Sequence, residues 1–120
     1  MQQFLTITKA LSDESRVRAL LLLRDGELCL CQIIEVLGLA PSTVSKHMDV
    51  LFQAGLVERR KEGRWHYFHL PNGDSPAVLR RAIEWVLDSL RREPIAVSDC
   101  DKVRGVRKTD PKALSSCYRE

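Results

Sequence analysis

Three features of this 120-residue chain predict a mainly α-helical domain with a small β-hairpin. The first is residues 41–54, where Val44, Met48 and Leu51 recur at i, i+4 and i+7 and make one buried stripe. Pro41 suits the first turn, where its missing N–H costs nothing, and Gly55 suits the stop. The second is a change of period after Gly55. Residues 56–61 and 64–70 read as strands joined by Glu62-Gly63, with glycine supplying positive φ. The third is a short apolar helix over 31–37, with Ile33, Ile34 and Leu37 inward and Gly38 ending it just before the longer helix. Two helices across a tight turn, followed by a hairpin, make a winged helix-turn-helix.

The remaining elements support that unit. Phe4, Leu5, Ile7, Thr8 and Leu11 give an amphipathic first helix, and Ser12-Asp13-Glu14 starts a second with a capping residue and acids at the positive end of its dipole. Val17, Leu20, Leu21 and Leu23 bury one side of that helix, and Asp25-Gly26 stops it. Residues 27–30 form a short apolar step. After the hairpin, residues 71–74 are a turn cluster, and a last helix runs over about 76–92 with Val78, Leu79, Ile83, Val86, Leu87 and Leu90 on a wide apolar face. The first and last helices both carry more apolar surface than a small core needs, so the sequence predicts a homodimer through them. The expected organisation is a domain over 1–92, with five helices, and a polar, mobile tail over 93–120 that begins where Pro94 ends the last helix.

Composition narrows the partners. The net charge of +3 is small, so placement matters more than the sum, and cations cluster on the hairpin, at Arg80-Arg81 and Arg91-Arg92, and in the tail. No apolar run is long enough for a membrane span, and the first residues do not read as a secretory signal. The expectation is a cytoplasmic protein with four reduced cysteines and no membrane partner. Opposite the buried stripe of residues 41–54, Ser42, Thr43, Ser45, Lys46 and Gln53, with Asp49 among them, suit base edges in a major groove of double-stranded DNA. Arg59, Arg60, Lys61 and Arg64 suit backbone phosphates beside it.

Leu11-Ser12-Asp13-Glu14-Ser15-Arg16, Glu27-Leu28-Cys29-Leu30-Cys31, residues 42–47 and Glu62-Gly63-Arg64-Trp65 together resemble the ArsR/SmtB family over residues 3–92. The resemblance implies a dimeric winged-helix repressor, joined by its first and last helices, that leaves its operator when a metal or metalloid binds. The arsenic-sensing branch is similar in carrying a Glu-Leu-Cys-x-Cys segment, which places As(III) or Sb(III) on Cys29 and Cys31 as inducer, with no organic cofactor. The fuller form of that motif adds a third cysteine where this chain has Ile34. A helix N-terminus stabilises thiolates, and soft thiolates suit a soft, three-coordinate ion. Both cysteines are expected at the N-terminus of that helix, where residues two apart diverge by about 200°, so binding is expected to distort or unwind its first turn. The missing third thiolate is expected from Cys100, or less readily Cys117. Cys100 lies seven residues beyond Glu93, a reach of roughly 23–25 Å, and the longer loop to Cys117 costs more to close.

Other chemistries fit poorly. His47, His66 and His69 do not converge, and the last helix has no histidine to build a zinc site. A phosphatase-like loop at Cys100 would need arginine where Val106 stands. No nucleophile–base set appears, so an enzyme is not expected. The rival readings are a dithiol redox or other soft-metal responsive repressor and, from a different class, a thiol-based metalloid carrier. A repressor binds specific DNA with salt-sensitive affinity; a carrier binds the ion alone.

Overall fold

The computed structural model describes residues 1–109. Its elements are α1 (Gln2–Ala10), α2 (Glu14–Leu22), β1 (Leu28–Cys29), α3 (Leu30–Leu37), α4 (Pro41–Gln53), β2 (Glu58–Glu62), β3 (Trp65–His69), α5 (Ala77–Leu90) and α6 (Pro94–Arg107). The Asp13 side chain caps α2 by accepting the Arg16 backbone N–H at 3.2 Å, so the cap is Asp13, one residue after the Ser12 expected from the sequence. Gly38 closes α3 in the left-handed conformation at φ 69°, which a glycine adopts without a Cβ penalty. The tight link to Pro41 then sets α4 against α3.

The core lies between α2, α3, α4 and the sheet. Leu20, Leu23, Leu28, Ile33, Val44, Met48, Leu51, Leu56 and Val57 are buried there. Val44, Met48 and Leu51 are the stripe read from the sequence, and they turn the opposite face of α4 outward.

Two expectations about the sheet are corrected. It has three strands in the order β1-β3-β2, because the step before α3 pairs with the hairpin: Leu28 opposite Phe68 and Cys29 opposite Tyr67. The hairpin turn is Gly63-Arg64 rather than Glu62-Gly63, since Glu62 still pairs with Trp65. Gly63 has φ 63°, so the glycine supplies the turn one position earlier in it than expected.

A third correction concerns the helix count. The described residues hold six helices, not five. The stretch 93–120, expected as a polar tail, opens with α6, where Pro94 occupies the first turn instead of only ending what precedes it. Several attachments hold α6 down. Arg18 of α2 donates to both carboxylate oxygens of Asp99 at 2.8 and 3.0 Å. Ala96 and Val103 are buried beside that pair. Arg107 donates to the carbonyls of Gly26 and Glu27, both at 3.0 Å. With six helices, the sequence's "last helix" is α5. Phe4 and Leu5 on α1 and Val78 and Trp85 on α5 remain exposed, Trp85 at 65%.

Asp99 is only 2% exposed, and removing one partner of such a pair strands a buried charge. Asp99→Ala should lower the unfolding free energy by about 3 kcal/mol in urea titrations. Arg18→Met with Asp99→Leu should recover most of that loss. A loss under about 1 kcal/mol for Asp99→Ala would mean the pair does not anchor α6.

Candidate metalloid and DNA-binding sites

Cys29 and Cys31 are both fully buried. Cys29 is the last residue of β1 and stands immediately before α3, with extended φ −72° and ψ 149°. Because it lies outside the helical turn, its side chain does not diverge from that of Cys31. The two Sγ atoms stand 2.8 Å apart, so the expectation that they converge only after α3 unwinds is corrected. Trp65 and Tyr67, two residues apart and on one face of β3, pack against the pair. Burial first, then the nearby Cys29 sulfur, pushes the Tyr67 phenol above its usual range.

Gln32 holds this junction. Its Oε1 accepts the Cys29 N–H at 2.8 Å, and its Nε2 donates to the Val106 carbonyl of α6 at 3.4 Å. Gln32 was not singled out from sequence, although a capping side chain three residues after the residue that precedes a helix is a known pattern. Glu27, named from the sequence only as part of the Glu-Leu-Cys-x-Cys segment, braces the hairpin as well. It lies just before β1 and accepts two bonds from Arg60, at 2.7 and 2.9 Å. That guanidinium holds the Glu27 carboxyl below its ordinary range and sits over the Tyr67 ring, 4.5 Å from its centroid.

Cys100 stands elsewhere. It lies half-buried on α6, where it lines a cleft with Arg24, Asp25, Glu84 and Arg91. Arg24 first, then Arg104, holds its thiol below the usual value. Among the described residues no three His, Cys, Asp or Glu side chains come together as a metal site, so Cys100 does not join Cys29 and Cys31. Cys117 lies outside the described residues.

The expected DNA-facing residues divide in two. On α4, Ser42, Thr43, Lys46 and Gln53 are exposed and Ser45 is half-buried. On the hairpin, Arg59 donates to Asp49 at 3.1 Å and stacks 3.9 Å from the Phe52 ring centroid, so it braces the hairpin on α4. Arg60 is held by Glu27 and, at 2.9 Å, by Glu62. Lys46, Lys61 and Arg64 form no ion pair with any described residue. Among the described residues no helix is long and apolar enough to cross a membrane.

Comparison with known proteins bears on the family and the fold. The model of the bacterial regulatory protein arsR family matches residues 13–59, which run from the α2 cap into β2. The chain is 38% identical over 93 residues to the arsenic resistance transcriptional regulator ArsR1 of Pseudomonas putida, covering 74% of this chain and 72% of that one. It is 45% identical over 65 residues to the arsenical resistance operon repressor of Staphylococcus aureus, covering 54% and 62%. A solution structure of a homodimeric winged helix-turn-helix DNA-binding domain from Mycobacterium bovis, a possible ArsR-family regulator, superposes with a TM-score of 0.64. It is 28% identical, with 78% of this chain and 82% of that one covered. The chain therefore belongs to the arsR family of bacterial transcriptional regulators, with the winged helix-turn-helix fold.

Proposed function

We propose that this chain is a cytoplasmic, homodimeric repressor released from its operator when arsenite or antimonite binds the thiolates of Cys29 and Cys31. The observation that carries the reading is the buried sulfur pair, 2.8 Å apart, on the residues that join β1 to α3. With both cysteines in the reduced, thiol form, each thiol replaces one hydroxide on the trivalent centre and releases one water, so two cysteines leave one hydroxide in place. The pair is closer than ordinary sulfur–sulfur contact, so an ion bridging it pushes the sulfurs apart. Trp65, Tyr67 and α3 surround them, and the push passes to β3 on one side and to α4 through α3 on the other. Ligand and DNA then oppose each other through one element, a reciprocal coupling. The exposed apolar faces of α1 and α5 are the proposed dimer surface. Cys29→Ser and Cys31→Ser should each keep operator affinity within about threefold of wild type, a difference under 1 kcal/mol, yet abolish release by arsenite. Release retained in either variant would remove that residue from the site.

The position of α6 bears on the third ligand. Cys100 is fixed in the Arg24 cleft, whereas the chain leaves α6 at Arg107, hydrogen-bonded to Gly26 and Glu27 two residues before Cys29. Cys117 follows ten residues later, a reach of up to about 33–36 Å. That start reverses the preference drawn from loop length, and we assign the third thiolate to Cys117. X-ray absorption of the arsenite-bound protein should count three sulfurs in wild type and in Cys100→Ser, and two in Cys117→Ser. Two sulfurs in Cys100→Ser with three in Cys117→Ser would reverse the assignment.

On the DNA side, Ser42, Thr43, Ser45, Lys46 and Gln53 are proposed to face the major groove, with half-sites about 34–36 Å apart in the dimer. Lys61 and Arg64 are proposed as the main phosphate contacts, while Arg59 and Arg60 shape the wing that carries them. Lys46→Ala should cost roughly 1–3 kcal/mol and relax base preference. Lys61→Ala or Arg64→Ala should weaken all sequences alike and flatten the salt dependence by about one unit. Arg60→Ala should change that slope less than either. Binding isotherms across several salt concentrations separate these cases, and the largest slope change in Arg60→Ala would contradict the division.

A further inference from the structure

One guanidinium ties three helices together. Arg16, in the first turn of α2, donates from Nε to the Ala10 carbonyl at 2.8 Å and from Nη2 to the Lys9 carbonyl at 3.1 Å, both at the end of α1. Its Nη1 reaches Nδ1 of His47, in the middle of α4, at 3.3 Å. The Arg16 side chain is only 17% exposed, and Asp13 lies 3.9 Å from Nη1. Arginine has donors only, so in this contact Nδ1 must be the acceptor. An imidazole can accept there only when it is neutral, with its proton on Nε2.

We propose that Arg16 and His47 form a positioning pair that holds the DNA-reading helix α4 against α1, and that proton uptake by His47 releases it and weakens DNA binding. The inference rests on the DNA-binding reading above. If α1 meets the partner subunit, the angle between α1 and α4 sets how far apart the two reading helices stand. Protonation turns Nδ1 into a donor and places a second cation beside Arg16, so the contact is lost. The charged groups facing the ring come from the corner between α1 and α2. They are Arg16 and Asp13, while α1 itself contributes the two carbonyls that orient Arg16. Burial works to raise the Asp13 carboxyl, but the Arg16 N–H, His47 and the Arg16 guanidinium hold it below its ordinary range, so it stays charged throughout. Its attraction for an imidazolium offsets part of the repulsion from Arg16 but does not restore the lost lone pair. On the other side of α4, the one charged residue of α3 is Glu35, which is exposed.

The test uses the full chain without metalloid and a DNA duplex selected by wild type from a randomised pool. Dissociation constants are measured at fixed salt at about pH 8 and about pH 6, either side of the histidine range. Wild type should lose about five- to tenfold in affinity between them, the worth of one hydrogen bond. His47→Asn places a non-titrating oxygen acceptor where Nδ1 stood, so it should bind like wild type at pH 8 and lose clearly less at pH 6. His66 and His69 are common to both proteins, so the difference between the two profiles is what His47 contributes. His47→Ala should bind more weakly at both pH values. A His47→Asn profile that matches wild type, or His47→Ala binding as tightly as wild type at pH 8, would overturn the proposal. Failure of wild type to select any duplex would instead sink the DNA-binding reading and this inference with it.

Discussion

The absence of a spacer between β1 and α3 governs how this structure is connected. Cys29 is the last residue of a strand, and Leu30 is already helical. The Cys29 N–H is occupied by Gln32, and its register partner on β3 is Tyr67. A displacement at this sulfur therefore has two rigid outlets and no loop to absorb it. One runs through α3 to α4, across a core in which Ile33, Val44 and Met48 are fully buried and a void would cost contacts outright. The other runs through β3 to β2 and the hairpin tip. A two-residue strand has little stability of its own, so β1 exists because β3 and α3 hold it from both sides.

The charged residues around this junction follow from the geometry of their head groups. Arginine's planar fork matches a carboxylate and lies flat on an aromatic ring, and lysine's ammonium does neither as well. Arg59 and Arg60 both sit over rings and both meet carboxylates, on opposite faces of β2. Arg59 thereby braces the hairpin on α4, and Arg60 braces it on the residue just before β1. These pairs are well exposed, so each adds little to stability, but together they limit the angles the hairpin can take. Lys46, Lys61 and Arg64 keep their charge available to solvent. The overall charge of +3 conceals this division of labour.

The helix pair, the Gly38 stop and the buried stripe of α4 were legible because each rests on local pattern. What escaped rests on contacts distant in sequence. Nothing near residue 99 signals a helix docked on α2, since its anchor is an ion pair with Arg18, 81 residues away. A proline that follows one helix can as readily start the next, and periodicity does not decide between them. The cysteine pair was found but its geometry was misjudged, because a helical angle was applied to a residue that ends a strand. The pairing of β1 with β3 was hidden for the same reason: two residues are too few for an alternating pattern. For Cys100 the loop-length argument assumed a free tail, and that assumption failed once residues 94–107 were helical.

The side on which α6 docks then matters for how the proposed functions are partitioned. It lies on α2 and α3, with its C-terminal end bound to Gly26, Glu27 and Gln32. It leaves Phe4, Leu5, Val78 and Trp85 uncovered on α1 and α5. An added helix of this size has two places to dock on such a small domain, against the exposed apolar faces or against the cysteine junction. Docking on the apolar faces would hide the surface proposed for the partner subunit. The buried Asp99 favours the cysteine side, because among the described residues its ion-pair partner is Arg18, on α2, and a carboxylate that deep is costly without one. One long-range ion pair therefore keeps the proposed dimer surface open and holds the end of α6 against the residues that precede β1.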